Sequence, residues 1–205
     1  VPTLDDDTAV LIVEAVAANM GLVPPSDGFL ASLRAECDRV GALLMFDEVI
    51  TGFRLGAGGA TAWSGVTPDL WSFGKVIGGG LPVGAFGARR EIMEHLAPLG
   101  AVYQAGTLSG NPLATAAGAT VLELLDEAAY SELIAKATTL ADGLSAAFAD
   151  AGVAAQVPRV GPLIGLFFGD HQPNDYDEAK ESVALGLYPT WFHAMLRRNI
   201  ALAPG

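Results

Sequence analysis

Short apolar runs, each closed by a charged residue or a glycine, recur through the first half of the chain and set its plan. Ala9–Val13 ends at Glu14, and Leu43–Phe46 ends at Asp47 and Glu48. Leu70–Phe73 is introduced by Pro68 and Asp69 and followed by Gly74 and Lys75. Continuous apolar runs of this length, bounded by turn residues, predict strands buried on both faces. Between the first two runs, Pro24, Pro25 and Ser26-Asp27-Gly28 predict a loop. Phe29–Val40 then has the spacing of an amphipathic helix, with Gly41 as its stop. Strand, loop, helix, strand is the grammar of a parallel βαβ unit.

The pattern continues with a strand predicted at Val83–Phe86 and a short helix of mixed charge at Arg89–Leu96. Asn111 and Pro112 open a helix running through Leu125, with asparagine at the N-cap and proline in the first turn. Thr51–Gly65 is rich in glycine and alanine, with Arg54 and Trp63 among its few large side chains, and suits an active-site border. Beyond about Tyr130 the composition shifts. Ser131–Ala149 has helical spacing, Leu163–Phe168 predicts a strand, Asp170–Glu181 an acidic loop and Tyr188–Arg198 a last helix.

With 205 residues and 51% hydrophobic side chains, the chain has ample material for a core. Eleven basic against 23 acidic residues give a net charge of −12, which argues against nucleic acid or an anionic membrane as partner. The apolar run Ala9–Ala18 is too short to span a bilayer and contains Glu14. A single cysteine, Cys37, excludes an intrachain disulfide and is compatible with a cytoplasmic location; it reads as a small residue within a helix. Asp170, His171, Asp175, Asp177 and Glu178 lack the ligand spacing and turn glycine of a calcium loop, so no metal site is expected. His95 and His193 stand alone and read as structural or surface residues.

Candidate chemistry gathers between Leu43 and Gly80. Ligands of open α/β sheets bind beyond the carboxyl ends of the strands, where Asp47 and Lys75 are expected. Lys75 lies among apolar residues and glycines, and a desolvated lysine has a lowered pKa and can act as a nucleophile or form a Schiff base. An accompanying carboxylate suits pyridoxal phosphate, whose ring nitrogen needs an acid to stay protonated. The same spacing also suits an aspartate that caps a turn and a lysine that snorkels to the surface. A phosphate-cradling P-loop does not fit, because Asp69 stands where its first glycine would be and Val76 follows Lys75. The three glycines 78–80 therefore point to close approach by another element or by a cofactor.

Three longer stretches carry a family resemblance. Phe46–Arg54 (FDEVITGFR), Gly74–Gly87 (GKVIGGGLPVGAFG) and Tyr103–Pro112 (YQAGTLSGNP) resemble, in order, the class III pyridoxal-phosphate aminotransferases, and among these the glutamate-1-semialdehyde 2,1-aminomutase group. The resemblance runs from about Ala9 to Gly205. It implies a fold-type I α/β architecture: a mostly parallel sheet in the large cofactor-binding domain, here residues 1–129, and a smaller α/β C-terminal domain, here residues 130–205. It also implies that Val1–Gly205 is a fragment lacking an N-terminal half and a C-terminal end.

The resemblance implies roles as well. Lys75 would carry pyridoxal 5′-phosphate, alternating with its pyridoxamine phosphate form, and move a proton between substrate and cofactor. Asp47 would face the ring nitrogen, Val49 would pack on the ring, and Glu48 would point away and orient its neighbours. Thr107 would reach the phosphate of the neighbouring subunit's cofactor in a homodimer; otherwise it is a turn threonine. Glu14 and Gly106 would lie near the cofactor, although Ala15 replaces the proline usual after that glutamate. The implied substrate is a small amino aldehyde or amino acid. The implied reaction is conversion of glutamate-1-semialdehyde to 5-aminolevulinate for tetrapyrrole synthesis. An ω-amino acid or amine transaminase, and a catalytically silent fragment, are the other readings.

Overall fold

The computed structural model describes residues 3–204. Readings that touch Val1, Pro2 and Gly205 lie outside the described residues. The chain forms two compact units, the first comprising residues up to Val16 and Pro25–Glu132, the second Ala17–Pro24 and the chain from Leu133 onward.

The first unit is built on a four-stranded sheet in the order β1 (Val10–Val13), β2 (Leu43–Asp47), β3 (Leu70–Phe73), β4 (Ala85–Ala88). The first three strands are parallel, and β4 returns antiparallel to β3. Helix α1 (Phe29–Val40) forms the crossover between β1 and β2; Gly41, at φ 78°, ends it as predicted. Alternation along the strands decides the two faces. Leu44 and Phe46 on β2 point to α1 and pack with its Leu33 and Cys37, all of them fully or almost fully buried. Val10 and Ile12, on the opposite face, are 41% and 61% exposed, so the doubly buried strand expected at Ala9–Val13 is covered on one side only.

A second network locks the sheet from behind. Asp69 accepts the Leu44 N–H (2.8 Å) and Arg34 (2.7 Å) on Oδ2 and Arg89 (3.2 Å) on Oδ1. These donors tie α1, β2 and the end of β4 to the start of β3. Burial pushes the Asp69 carboxyl up, but the Leu44 N–H and the Arg34 and Arg89 guanidiniums outweigh it and hold the group below its ordinary value.

Several elements differ from expectation. The strand predicted at Val83–Phe86 lies two residues later, and the helix predicted at Arg89–Leu96 is the single turn α3 (Arg90–Met93). The glycine-rich border contains a short helix, α2 (Gly59–Ser64). Its signal was hidden because the capping group is remote: the buried Glu48 carboxylate accepts the Ala60 N–H at 2.6 Å. Asn111 caps α4 (Pro112–Leu124) by accepting from Leu113 and Ala114, as the Asn-Pro pair predicts.

Helix α5 (Glu127–Asp150) begins in the first unit and continues in the second. The second unit also holds two small antiparallel strand pairs, β5 (Ala155–Gln156) with β8 (Phe167–Phe168) and, between them in the chain, the hairpin β6 (Arg159–Val160) with β7 (Leu163–Ile164). The single strand expected at Leu163–Phe168 is thus split at Gly165, whose N–H turns to the Pro158 carbonyl. A Cβ at Gly165 would meet Leu22, so the break also seats the Ala17–Pro24 segment. The second half of the acidic loop expected at Asp170–Glu181 is helical: α6 spans Tyr176–Ala184. Asp175 accepts the Glu178 N–H at 2.9 Å, while Glu178 reaches back to Asn174 N–H at 2.8 Å. Asp-x-x-Glu is the capping signal that outweighs the local acidity. Helix α7 (Leu187–Leu196) packs Trp191 near Phe148, which in turn meets Phe168 edge to face.

Candidate active site

The carboxyl ends of β2 and β3 meet in one region of the first unit. In the parallel ladder Asp47 is paired with Ser72, and Lys75 follows three residues later. Three residues reach at most about 11 Å between Cα atoms, so the acid and the amine share one end of the sheet. Asp47 is half-buried; its Oδ1 accepts the Val49 N–H at 2.9 Å and the Ser72 hydroxyl at 3.3 Å. The turn that begins at Asp47 brings Val49 against the β3 exit. A Cβ at Gly74 would stand 3.3 Å from Val49 Cγ1, an approach that suits glycine there.

Glu48, next in the chain, points the other way and is 1% exposed. Besides the Ala60 N–H it accepts the hydroxyls of Thr51 (3.1 Å) and Thr61 (3.3 Å), and Thr61 Oγ1 in turn accepts Trp71 Nε1–H (2.9 Å). Glu48 therefore organises the 51–64 segment beneath the site. Gly59, at φ 55°, leaves room for its carboxylate, because a Cβ there would overlap Oε2.

Lys75 opens a 3₁₀ turn, Lys75–Gly78, with its own φ at 48°. A lysine in the left-handed region is held there by its surroundings, at a cost of order 1–3 kcal/mol, and such strain clusters at functional positions. The surroundings are identifiable. Helix α4 lies so close to the turn that a Cβ on Gly118 would overlap the Ile77 carbonyl oxygen, and one on Gly79 would stand 2.6 Å from the Ala117 carbonyl oxygen. The glycines after Lys75 thus serve approach by another element. Alanine at Gly118 gains about 1 kcal/mol of helix propensity, but the carbonyl it meets is backbone and cannot rotate aside. Gly118→Ala is expected to lower stability by a net of about 1–3 kcal/mol in urea unfolding.

The Lys75 side chain is exposed, which corrects the expectation of a desolvated amine: glycines and apolar residues adjacent in sequence do not enclose it. It borders an open cleft of about 670 Å³ together with Arg54 and Leu81–Val83. Arg54, unassigned from sequence, donates Nε–H to the Ile50 carbonyl at 3.0 Å, which holds its guanidinium at this margin. Thr107 and Gly106 lie on an exposed turn just before α4, and Glu14 is half-buried at the end of β1. Among the described residues, no group of three or more His, Cys, Asp or Glu side chains is arranged to hold a metal. No helix among them is long and apolar enough to cross a membrane.

The model of the family described as aminotransferase class III matches residues 2–203. The chain belongs to the class III aminotransferase family. Among curated relatives of this class III chain is the glutamate-1-semialdehyde 2,1-aminomutase 2 of Shouchella clausii, 54% identical over 98% of this chain and 47% of that protein. Among solved structures, an omega-transaminase from Sphaerobacter thermophilus superposes with a TM-score of 0.88 at 32% identity, covering 95% of this chain and 45% of that one. A glutamate-1-semialdehyde-aminomutase from Pseudomonas aeruginosa, in complex with PMP, superposes with a TM-score of 0.81 at 30% identity, covering 97% and 46%. The chain spans about half the length of the curated relatives it matches.

The donor set of this class III chain fits a pyridine-ring cofactor. It offers a carboxylate at a strand end, a valine beside it, and an accessible amine beyond the neighbouring strand. Ser72 is the residue that sequence reading missed. A serine within an apolar run has no local signal; only the β2–β3 register puts it beside Asp47.

Proposed function

We propose that this chain is the lysine-bearing part of a pyridoxal 5′-phosphate enzyme, a glutamate-1-semialdehyde 2,1-aminomutase that forms 5-aminolevulinate for tetrapyrrole synthesis. The observation that carries the reading is the 54% identity to the Shouchella clausii aminomutase over 98% of the chain. The arrangement of Asp47, Val49 and Lys75 at one end of the sheet supports the cofactor assignment.

When bound, pyridoxal phosphate, with its pyridoxamine phosphate form, supplies an electron sink and a carrier for the amino group. In this reading Lys75 Nζ would hold the cofactor and would serve as the acid–base group that moves a proton between the substrate carbon and the cofactor. Asp47 accepts the ring N–H and keeps that nitrogen charged. Val49 packs on the ring, and Glu14 and Gly106 border it. Thr107 donates its hydroxyl to the phosphate of a neighbouring subunit's cofactor, which makes the active enzyme a homodimer. The apolar side chains around that turn support an interface: Tyr103 is 82% exposed, Leu108 63% and Leu113 73%. The substrate is a small amino aldehyde, and a cytoplasmic setting accords with the single unbridged cysteine, Cys37.

One observation favours a second reading, transamination of an ω-amino acid or amine: the TM-score of 0.88 to the Sphaerobacter thermophilus omega-transaminase. The two are separated by the need for an acceptor. An assembled enzyme containing this chain, given glutamate-1-semialdehyde alone, is expected to release 5-aminolevulinate. Strict dependence on an added keto acid would overturn the aminomutase and leave the transaminase.

A further inference from the structure

Asp47 and Ser72 form the last register pair of the β2–β3 ladder, so their side chains leave the same face of the sheet. The Glu48 N–H donates to the Ser72 carbonyl at 2.9 Å and fixes the two backbones at that point. Both hydrogen bonds to the Asp47 carboxylate, from Val49 N–H and from Ser72 Oγ–H, fall on Oδ1. Among the described residues Oδ2 receives none, and the Ser72 hydroxyl has no other partner.

The bond from Val49 is local: a carboxylate accepting the amide two residues on still swivels about its own Cβ–Cγ bond and can exchange its two oxygens. A second donor from the neighbouring strand removes that freedom. We propose that Ser72 is a positioning residue that engages Asp47 Oδ1 and thereby presents Oδ2 as the acceptor for a charged ring N–H. The proposal rests on the reading of Asp47 as the cofactor's partner, and neither a sequence motif nor a contact with the cofactor is needed for it. Ser72 acts only through Asp47.

The test uses the whole chain with three variants, Ser72→Ala, Ser72→Thr and Asp47→Asn. The cofactor-free readout is hydrogen exchange at the Val49 amide, whose acceptor is the carboxylate in question. Ser72→Ala is expected to speed that exchange about 3- to 10-fold, as loss of one restraining hydrogen bond implies. The Leu44 amide, bonded to Asp69, is expected to stay unchanged, and Ser72→Thr to restore the Val49 rate. The second readout is the dissociation constant for pyridoxal phosphate from its visible spectrum. It is expected to rise about 5- to 10-fold in Ser72→Ala and further in Asp47→Asn. Unchanged Val49 exchange in Ser72→Ala overturns the positioning role, whether or not the chain takes up the cofactor. Parent-like affinity in Asp47→Asn overturns the Asp47 reading instead, with Ser72's hold on the carboxylate still decided by exchange.

Discussion

Lys75→Ala is expected to abolish fixation of pyridoxal phosphate to this chain by borohydride, and to lower turnover of an assembled enzyme by at least about 10²–10⁴-fold, the scale of a lost proton-transfer group. The chain has only two other lysines, Lys136 and Lys180. The Lys180 amine is held by a 2.6 Å hydrogen bond to Asp177, which pushes it above its ordinary value. Lys75 stands exposed on a turn whose backbone is gripped by α4, so its amine leaves the sheet end from a fixed origin. Peptide mass spectrometry after reduction reads the result directly. Stoichiometric label at Lys75 in the parent and none in the variant is the expected pair. Label retained on another lysine in Lys75→Ala would remove Lys75 from the mechanism.

The second large effect concerns stability. Asp69→Ala leaves the buried Leu44 N–H without its acceptor and the Arg34 guanidinium with only the exposed Asp38 as ion-pair partner. Breaking a buried pair by removing one member costs about 3–5 kcal/mol. Because Arg89 remains half-exposed and Arg34 keeps one partner, the lower end of that range is expected in urea unfolding. A loss below about 0.5 kcal/mol, the scale of an ordinary surface change, would show that the network does not brace the sheet.

The same group sets an acid limit. Its folded pKa lies below the unfolded value of about 3.9, so its contribution is complete above that pH and is lost as pH falls through the lowered folded value. The difference in stability between parent and Asp69→Ala should therefore hold constant from neutrality to about pH 5 and shrink only in stronger acid. Since Asp69 immediately precedes β3, loosening it should also disturb the Lys75 turn beyond the other end of that strand.

The limits of α1 and β3 were legible residue for residue, and those of β2 to within its last residue, because local signals agreed: the apolar period, the Gly41 stop, and the Pro68-Asp69 and Gly74 punctuation. The cap of α4 was legible for the same reason. Residues bearing reactive groups could also be picked out, since an acid and an amine that each end an apolar run are conspicuous in one dimension. What that dimension lacks is the partner across space. Helix α2 depends on the carboxylate of Glu48, 12 residues before the amide it caps, and the role of Ser72 depends on strand register. The direction of β4, the break at Gly165 and the exposure of Lys75 likewise follow from what packs alongside. Propensity and period act over a few residues and are written in the chain; hydrogen bonds and steric contacts between distant segments exist only once the sheet has set its register.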